Sequence, residues 1–111
     1  MTDQKNDSET FCPDIVRVKE MIDTENVTII DIRDPEAYAQ GHIAGAQLIN
    51  DDNLDDFVAQ TDKTKPLLCY CYHGNSSRGA AEYFREHGFK KVYSMEGGFE
   101  AWRSAAYPFE A

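Results

Sequence analysis

One cysteine stands where an apolar run gives way to a series of small and polar residues. The run 66–71 ends in Cys71, and it is followed by Tyr72, His73, Gly74, Asn75, Ser76, Ser77, Arg78 and Gly79. Gly74 and Asn75 tolerate a positive φ, which lets successive backbone N–H groups converge on one point. A helix after such a loop adds unpaired N–H donors and the positive end of its dipole. We therefore expect a cradle for an anion, with the Cys71 sulfur as a thiolate at its base.

The other two cysteines lie in less reactive surroundings. Cys69 is inside the apolar run, between Leu68 and Tyr70, and Cys12 lies near the start of the chain. Since most lone cysteines behave as small buried hydrophobes, we expect packing roles for both. Packing is also the alternative for Cys71, but a packing role does not require a loop of small and polar residues after the cysteine.

Two other kinds of anion-binding loop have different sequences. A P-loop requires Gly-x-x-x-x-Gly-Lys-Ser/Thr, which this chain lacks. A cysteine phosphatase requires an arginine at the position that Ser77 occupies here, where it grips phosphate through paired hydrogen bonds. Arg78 comes one residue later, which on a helix turns the side chain by about 100°. The loop therefore suits a bound terminal sulfur atom better than a bound phosphoryl group. A phosphatase or an arsenate reductase is the less favoured alternative.

Strands and helices are predicted to alternate before this loop. A short edge strand is possible at Phe11 and Cys12, and the segment after Pro13-Asp14 has its apolar residues at helical spacing. Segment 27–32 is rich in β-branched residues and predicts a strand buried on both faces. The sequence of segment 34–36, Asp-Pro-Glu, is typical of a helix start, and that helix should end at Gly41.

The same alternation continues to the end of the chain. Further strands are predicted over 46–49, 66–71 and 92–95, and further helices after the capping side chains of 50–53, up to a C-cap at Gly88, and after Gly97-Gly98. This order predicts one α/β domain over residues 11–111, with a mostly parallel sheet of four to five strands and helices on both faces. Residues 1–10 are predicted to be a flexible tail. Ligands bind at the carboxyl ends of such strands, where Cys71 lies.

The charge, the hydropathy and the cysteine count of the chain disfavour several kinds of partner, location and bound group. A net charge of −9 and a pI near 4.6 disfavour binding to nucleic acid or to an anionic membrane. The start of the chain does not resemble a signal peptide, and no apolar stretch approaches the length of a membrane span, so we expect a cytoplasmic protein. An odd number of cysteines, none with zinc-site spacing, predicts no disulfide framework, no metal and no cofactor.

Four motifs, taken together, resemble the rhodanese family, and within it the GlpE-type single-domain thiosulfate sulfurtransferases. They are the loop 71–81, Asp31-Ile32-Arg33-Asp34-Pro35, Tyr38-x-x-x-His42-Ile43-x-Gly45-Ala46, and Gly97-Gly98-Phe99 with Trp102. The chain departs from the family's usual pattern at Ala44, Met95 and Ala101, where proline, an aromatic residue and glutamate are usual. These positions are away from Cys71, so they bear on the detailed fit and not on the chemistry.

The resemblance implies a rhodanese domain that transfers sulfur in two steps. Cys71 would take the outer sulfur of thiosulfate as a persulfide, release sulfite, and pass the sulfur to cyanide or to a cellular thiol or thioredoxin-like acceptor. The persulfide would be bound by the loop residues Tyr72, His73, Gly74, Asn75, Ser76 and Ser77. Supporting roles would fall to Arg78 through its positive charge, and to Asp31, Arg33 and His42 through salt bridges or hydrogen bonds. A non-catalytic binding or regulatory module of the same family is a further alternative, which the intact cysteine and loop disfavour.

Overall fold

The computed structural model of the protein describes residues 12–111. The predicted tail 1–10 and Phe11 of the predicted edge strand lie outside that range. Cys12, the other residue of that predicted strand, is in a bend and is not part of a strand. Pro13 follows it and has no N–H to donate to a ladder. The Pro13 carbonyl instead accepts a hydrogen bond from the N–H of Glu96, at 2.9 Å.

Four parallel strands form one sheet, which confirms the predicted fold class. The strands are β1 (Thr28–Asp31), β2 (Gln47–Leu48), β3 (Leu67–Tyr70) and β4 (Val92–Ser94), in the spatial order β2-β1-β3-β4. In the register of the sheet, Asp31 pairs with Tyr70, and Cys69 pairs with Ser94. The carboxyl ends of β1, β3 and β4 therefore lie side by side at one edge.

Helices connect these strands as the sequence predicts. They are α1 (Ile15–Thr24), α2 (Pro35–Gln40), α3 (Leu54–Gln60), α4 (Ser76–Glu86) and α5 (Gly98–Ser104). Asp14 caps α1 by accepting the N–H of Arg17 at 2.9 Å, and Asp34 caps α2 by accepting the N–H of Ala37 at 2.7 Å. Among the described residues, 12–111, no helix is long and apolar enough to cross a bilayer.

Two predictions about helix ends are wrong in detail. Asn53 stands at the N-cap of α3 but its side chain does not cap the helix; its Oδ1 accepts the N–H of Asn50 at 2.8 Å and closes the preceding turn instead. The C-cap of α4 is His87, and Gly88 follows it with φ +101°. The left-handed position that needs glycine therefore comes one residue after the cap, as is usual at helix ends.

The core has two halves, one on each face of the sheet. One half joins α1 and α5 to the sheet through residues such as Val18, Tyr70 and Trp102. The other joins α3 and α4 to it through residues such as Cys69 and Phe84. Side chains alternate along a strand. Cys71 is two residues after Cys69, so both side chains point to the α4 side. This alternation directs the Cys71 sulfur at the N-terminus of α4.

Candidate active site

The Cys71 sulfur lies inside a loop that closes around it. Cys71 is the first residue after β3, and its Sγ accepts the N–H groups of Gly74 at 3.1 Å and of Ser77 at 3.3 Å. The Ser77 Oγ is 3.4 Å from the same sulfur. Cys71 keeps 7% of its surface exposed, whereas Cys69 is fully buried. Of these two thiols, Cys71 is therefore the one that a small molecule can reach.

Gly74 makes the reversal that aims these N–H groups inward. Its φ is +97°, a region that residues with a Cβ rarely adopt. A Cβ there would also lie 3.0 Å from the backbone nitrogen of Gly97. Asn75, which like Gly74 tolerates a positive φ, does not adopt one, because its φ and ψ are the helical values of −81° and −50°. One left-handed residue is enough to turn the chain, and Asn75 then already leads into α4 with its side chain exposed.

Hydrogen bonds around Cys71 favour its ionised form. Partial burial raises the pKa of this thiol, but the Ser77 hydroxyl and the backbone N–H groups of Ser77, Gly74 and His73 outweigh it and lower the pKa below the ordinary value. At Cys69 the balance is reversed, and burial raises the pKa of the thiol far above its usual range. The Cys69 Sγ–H instead donates weakly to the carbonyl of Tyr93, at 3.4 Å. Cys71 is therefore the thiol suited to act as a nucleophile.

Ser94 is a residue near the sulfur that sequence reasoning missed. It is the last residue of β4, fully buried, and its Oγ lies 2.6 Å from the Ser77 Oγ. The signal that could have found it is its position: a small hydroxyl residue at the carboxyl end of the strand that pairs with the strand before Cys71. The hydroxyls of Ser94 and Ser77 thus form a short chain that ends at the thiol.

A second glycine turn fixes the outside of the loop. The N–H of Phe99 donates to the carbonyl of Cys71 at 2.8 Å, and the N–H of Glu100 donates to the carbonyl of Tyr72 at 3.0 Å. Gly98 has φ +63°, and a Cβ on it would collide with the carbonyl of Tyr72. The Gly97-Gly98 motif is therefore needed so that the start of α5 can approach the loop backbone.

A buried ion pair stands beside the loop. The Nη2 of Arg33 donates to Asp31 Oδ2 and to the carbonyl of Gly41, both at 2.6 Å, and its Nε donates to the two carboxylate oxygens at 3.0 Å. Burial lowers the pKa of Arg33, but the hydrogen bond and charge of Asp31 outweigh it, so the net pKa is raised. The guanidinium lies 4.3 Å from the centre of the Phe99 ring and 5.7 Å from that of Tyr72. This pair therefore ties the end of β1 to the loop and to α5.

His42 orders another loop. Its Nδ1 bonds to the carbonyl of Tyr38 at 2.8 Å, and its ring stacks on that of Tyr38 with centroids 3.8 Å apart. Its backbone N–H donates to the carbonyl of Glu110 at 2.7 Å. Its Nε2 lies 3.7 Å from the carboxylate of Glu110. Among residues 12–111, none of these contacts is with the Cys71 sulfur.

The remaining predicted site residues lie on the outer surface of the loop and of α4. The rings of Tyr72 and His73 are exposed and stack with centroids 5.3 Å apart. Ser76 begins α4, and the exposed Arg78 donates its backbone N–H to the carbonyl of Asn75 at 3.3 Å. Within the described part of the chain, no hydrogen bond joins the guanidinium of Arg78 to the sulfur. The groups that contact the sulfur are thus backbone N–H groups and one hydroxyl.

Comparisons with known proteins give a matching family, related enzymes and a similar fold. The family model described as "Rhodanese-like domain" matches residues 14–105. The thiosulfate sulfurtransferase GlpE of Pseudomonas paraeruginosa is 54% identical over 80 residues, which are 72% of each chain. The enzyme of the same name from Pseudoalteromonas translucida is 46% identical over 91 residues, 82% of this chain and 87% of that one. The solution structure of a rhodanese-like domain from Anabaena superposes with a TM-score of 0.82 at 27% identity, over 91% of this chain and 79% of that one.

Proposed function

This chain belongs to the rhodanese-like domain family, and we propose that it is a thiosulfate sulfurtransferase that carries the transferred sulfur as a persulfide on Cys71. The observation that carries the proposal is the set of donors at one sulfur: the N–H groups of Gly74 and Ser77, at 3.1 and 3.3 Å, with the Ser77 hydroxyl beside them. The same activity is named for a relative that is 54% identical to this chain over 80 residues. Cys71 is thereby both an accessible thiol and the one whose anion is stabilised.

The first step forms the persulfide. The Cys71 thiolate attacks the outer sulfur of thiosulfate, the S–S bond of thiosulfate breaks, and sulfite leaves with the electron pair of that bond. The new Cys71 Sγ–S group carries a negative charge on its terminal sulfur. Backbone N–H groups that are already oriented stabilise this charge without further rearrangement. The loop therefore serves the thiolate before the step and the persulfide after it.

The second step returns the enzyme to its starting state. A nucleophile attacks the terminal sulfur, the persulfide bond breaks, and the electron pair returns to Sγ, which is again held by Gly74 and Ser77. With cyanide the product is thiocyanate, and with a thiol it is a new persulfide. We assign a thiol or thioredoxin-like acceptor to the reaction in the cell. The three free cysteines, Cys12, Cys69 and Cys71, suit the reducing cytoplasm, where such acceptors are available.

Contacts of the loop argue against phosphate transfer. Ser77 stands where a cysteine phosphatase has its arginine, and its buried side chain is directed to Cys71 and Ser94. Arg78 is exposed on α4. A phosphoryl group would lack the paired hydrogen bonds that stabilise its transition state. We therefore expect no turnover of an aryl phosphate by the same preparation that transfers sulfur.

The test is the intact mass of the protein after treatment with thiosulfate and removal of the excess. The wild type should gain the mass of one sulfur atom, and peptide mapping should locate it on Cys71. Cys71→Ser should lose both the added sulfur and the formation of thiocyanate from cyanide. Cys69→Ser and Cys12→Ser should retain most of both. An added sulfur on Cys69, or equal loss of activity in a folded Cys69→Ser, would show that the wrong thiol has been assigned.

A further inference from the structure

Ser94 is a buried hydroxyl that no step above uses. It lies at the carboxyl end of β4, and its side chain is fully excluded from solvent. Its hydrogen-bond partner is the Ser77 Oγ at 2.6 Å, and no other hydrogen bond to its side chain occurs within residues 12–111. Ser77 in turn lies 3.4 Å from the Cys71 sulfur. A buried polar group with one partner needs an account of where its proton goes.

The two hydroxyl protons can be arranged in two ways. If Ser77 donates to Ser94, the Ser94 proton has no acceptor, and an unpaired buried donor is costly. If Ser94 donates to Ser77, the Ser77 proton is left to point at the Cys71 sulfur, and both protons have acceptors. The second arrangement therefore has the lower free energy whenever the sulfur can accept, which a thiolate or a persulfide anion does best.

We propose that Ser94 is a positioning residue for sulfur transfer, which fixes the Ser77 hydroxyl as a donor to the Cys71 sulfur. This inference rests on the proposed function, and it adds to the loop a residue from a different strand. A neutral Cys71 thiol that donates to Ser77 would leave one of the two hydroxyl protons, that of Ser77 or that of Ser94, without an acceptor. Ser94 thereby disfavours the neutral sulfur and favours the anion in both steps of the reaction. No proton is transferred between the two serines; Ser94 only sets the direction in which the Ser77 hydroxyl donates its hydrogen bond.

The experiment is a double-mutant cycle that measures the rate of alkylation of Cys71 as a function of pH, with peptide mapping to identify the thiol. At pH values below the wild-type midpoint, Ser77→Ala should react on the order of tenfold more slowly than the wild type, since it loses a hydrogen bond to a charged group. Ser94→Ala should react roughly threefold more slowly, since it loses only the alignment and polarisation of that bond. Both variants should move the pH midpoint upward. The double variant should match Ser77→Ala, because Ser94 acts only through Ser77.

Two further variants separate positioning from general packing. Ser94→Thr keeps the hydroxyl on a residue suited to a strand, so it should restore most of the wild-type pH profile. Ser104→Ala, an exposed serine at the end of α5, is the matched control and should leave the profile unchanged. A wild-type profile in Ser94→Ala, or losses that multiply in the double variant, would overturn the inference.

Alkylation uses no sulfur donor, so it is independent of the proposed activity. If the wild type failed to gain sulfur from thiosulfate but Ser94→Ala still shifted the alkylation profile, the proposed function would be wrong and the positioning of the thiolate would stand. If sulfur were gained normally and Ser94→Ala had no effect on the profile, the function would stand and the role of Ser94 would be refuted.

Discussion

Replacing Gly74 by alanine tests whether the shape of the loop controls the reactivity of the sulfur. Gly74 has φ +97°, and its N–H donates to the Cys71 sulfur at 3.1 Å. An alanine Cβ would lie 3.0 Å from the nitrogen of Gly97 and 3.3 Å from the carbonyl oxygen of Met95. Both are backbone atoms, so the loop must move by a few tenths of an ångström to relieve the contacts.

The expected effect of Gly74→Ala has two parts, a loss of stability and a rise in the pKa of Cys71. A left-handed conformation costs a residue with a Cβ about 1–2 kcal/mol of stability, and the tight contacts add about 1 kcal/mol or more. Movement of the loop also weakens the N–H bond from Gly74 to the thiolate, and a hydrogen bond to a charged group contributes about 1.5–3 kcal/mol. Since one pKa unit corresponds to about 1.4 kcal/mol, the pKa of Cys71 should rise, and its alkylation at pH values below the wild-type pKa should slow by roughly tenfold.

Gly45→Ala is the matched control for this experiment. Gly45 has a similar φ of +88°, and a Cβ on it would have no atom within 4 Å. It should therefore show the conformational cost in urea denaturation, about 1–2 kcal/mol, with wild-type alkylation of Cys71. The assay is the pH dependence of alkylation in both variants, alongside their free energies of unfolding. Equal alkylation rates in the two variants would refute the electrostatic role of the loop and leave substrate positioning as the source of reactivity.

Four further outcomes follow from the same contacts. Arg78→Lys should keep most thiocyanate formation, because the exposed side chain contributes charge without a bond to the sulfur; a hundredfold loss would indicate a directional contact. Asn75→Ala should change the activity less than about twofold, since Asn75 has helical angles and an exposed side chain that caps nothing. Arg33→Lys should lower the free energy of unfolding by about 2–3 kcal/mol in urea denaturation, because a lysine cannot reproduce the forked, buried contact with Asp31. Folding lowers the pKa of Cys71, so ionisation of this thiol should stabilise the folded state. This stabilisation should grow as pH rises from the folded pKa toward about 8.5, the pKa of a free thiol, and should be lost as pH falls through the folded pKa. The difference in free energy of unfolding between wild type and Cys71→Ser, measured in urea across that range, should follow the same pH dependence.

The elements that the sequence predicts correctly are those with local signals. Asp14 and Asp34 act as helix caps through bonds to N–H groups three residues later, and such bonds depend on neighbouring residues alone. The parallel order follows from the alternation of strands and helices. The Cys71 loop was recognisable because a cysteine, a glycine and a following helix lie together in the sequence. The sequence also shows directly that Ser77 occupies the position at which a cysteine phosphatase has its arginine.

The features that sequence reasoning missed depend on contacts between distant segments, on single dihedral angles, or on which of several nearby partners a side chain binds. Ser94 reaches Ser77 only because β4 lies beside β3 in the sheet, and no local pattern marks that contact. Both Gly74 and Asn75 tolerate a positive φ, but the sequence does not show that the reversal uses Gly74 alone. Asn53 caps a turn in place of a helix because its amide also donates to the carbonyl of Leu48, at 2.8 Å.

The loop separates its backbone donors from its backbone acceptors, and this separation explains why a turn from another part of the chain belongs to the site. N–H groups of Gly74 and Ser77 face the sulfur, whereas the carbonyls of Cys71 and Tyr72 are bonded to the start of α5. A carbonyl free to turn inward would bring negative partial charge toward a sulfur that must be an anion twice in each cycle. The start of α5 can hold these carbonyls outward only if it approaches the loop backbone directly, and a side chain on Gly98 would prevent that approach. The preference for an anion at Cys71 therefore depends on Gly98 through the carbonyls that its turn binds, although Gly98 forms no hydrogen bond with the sulfur.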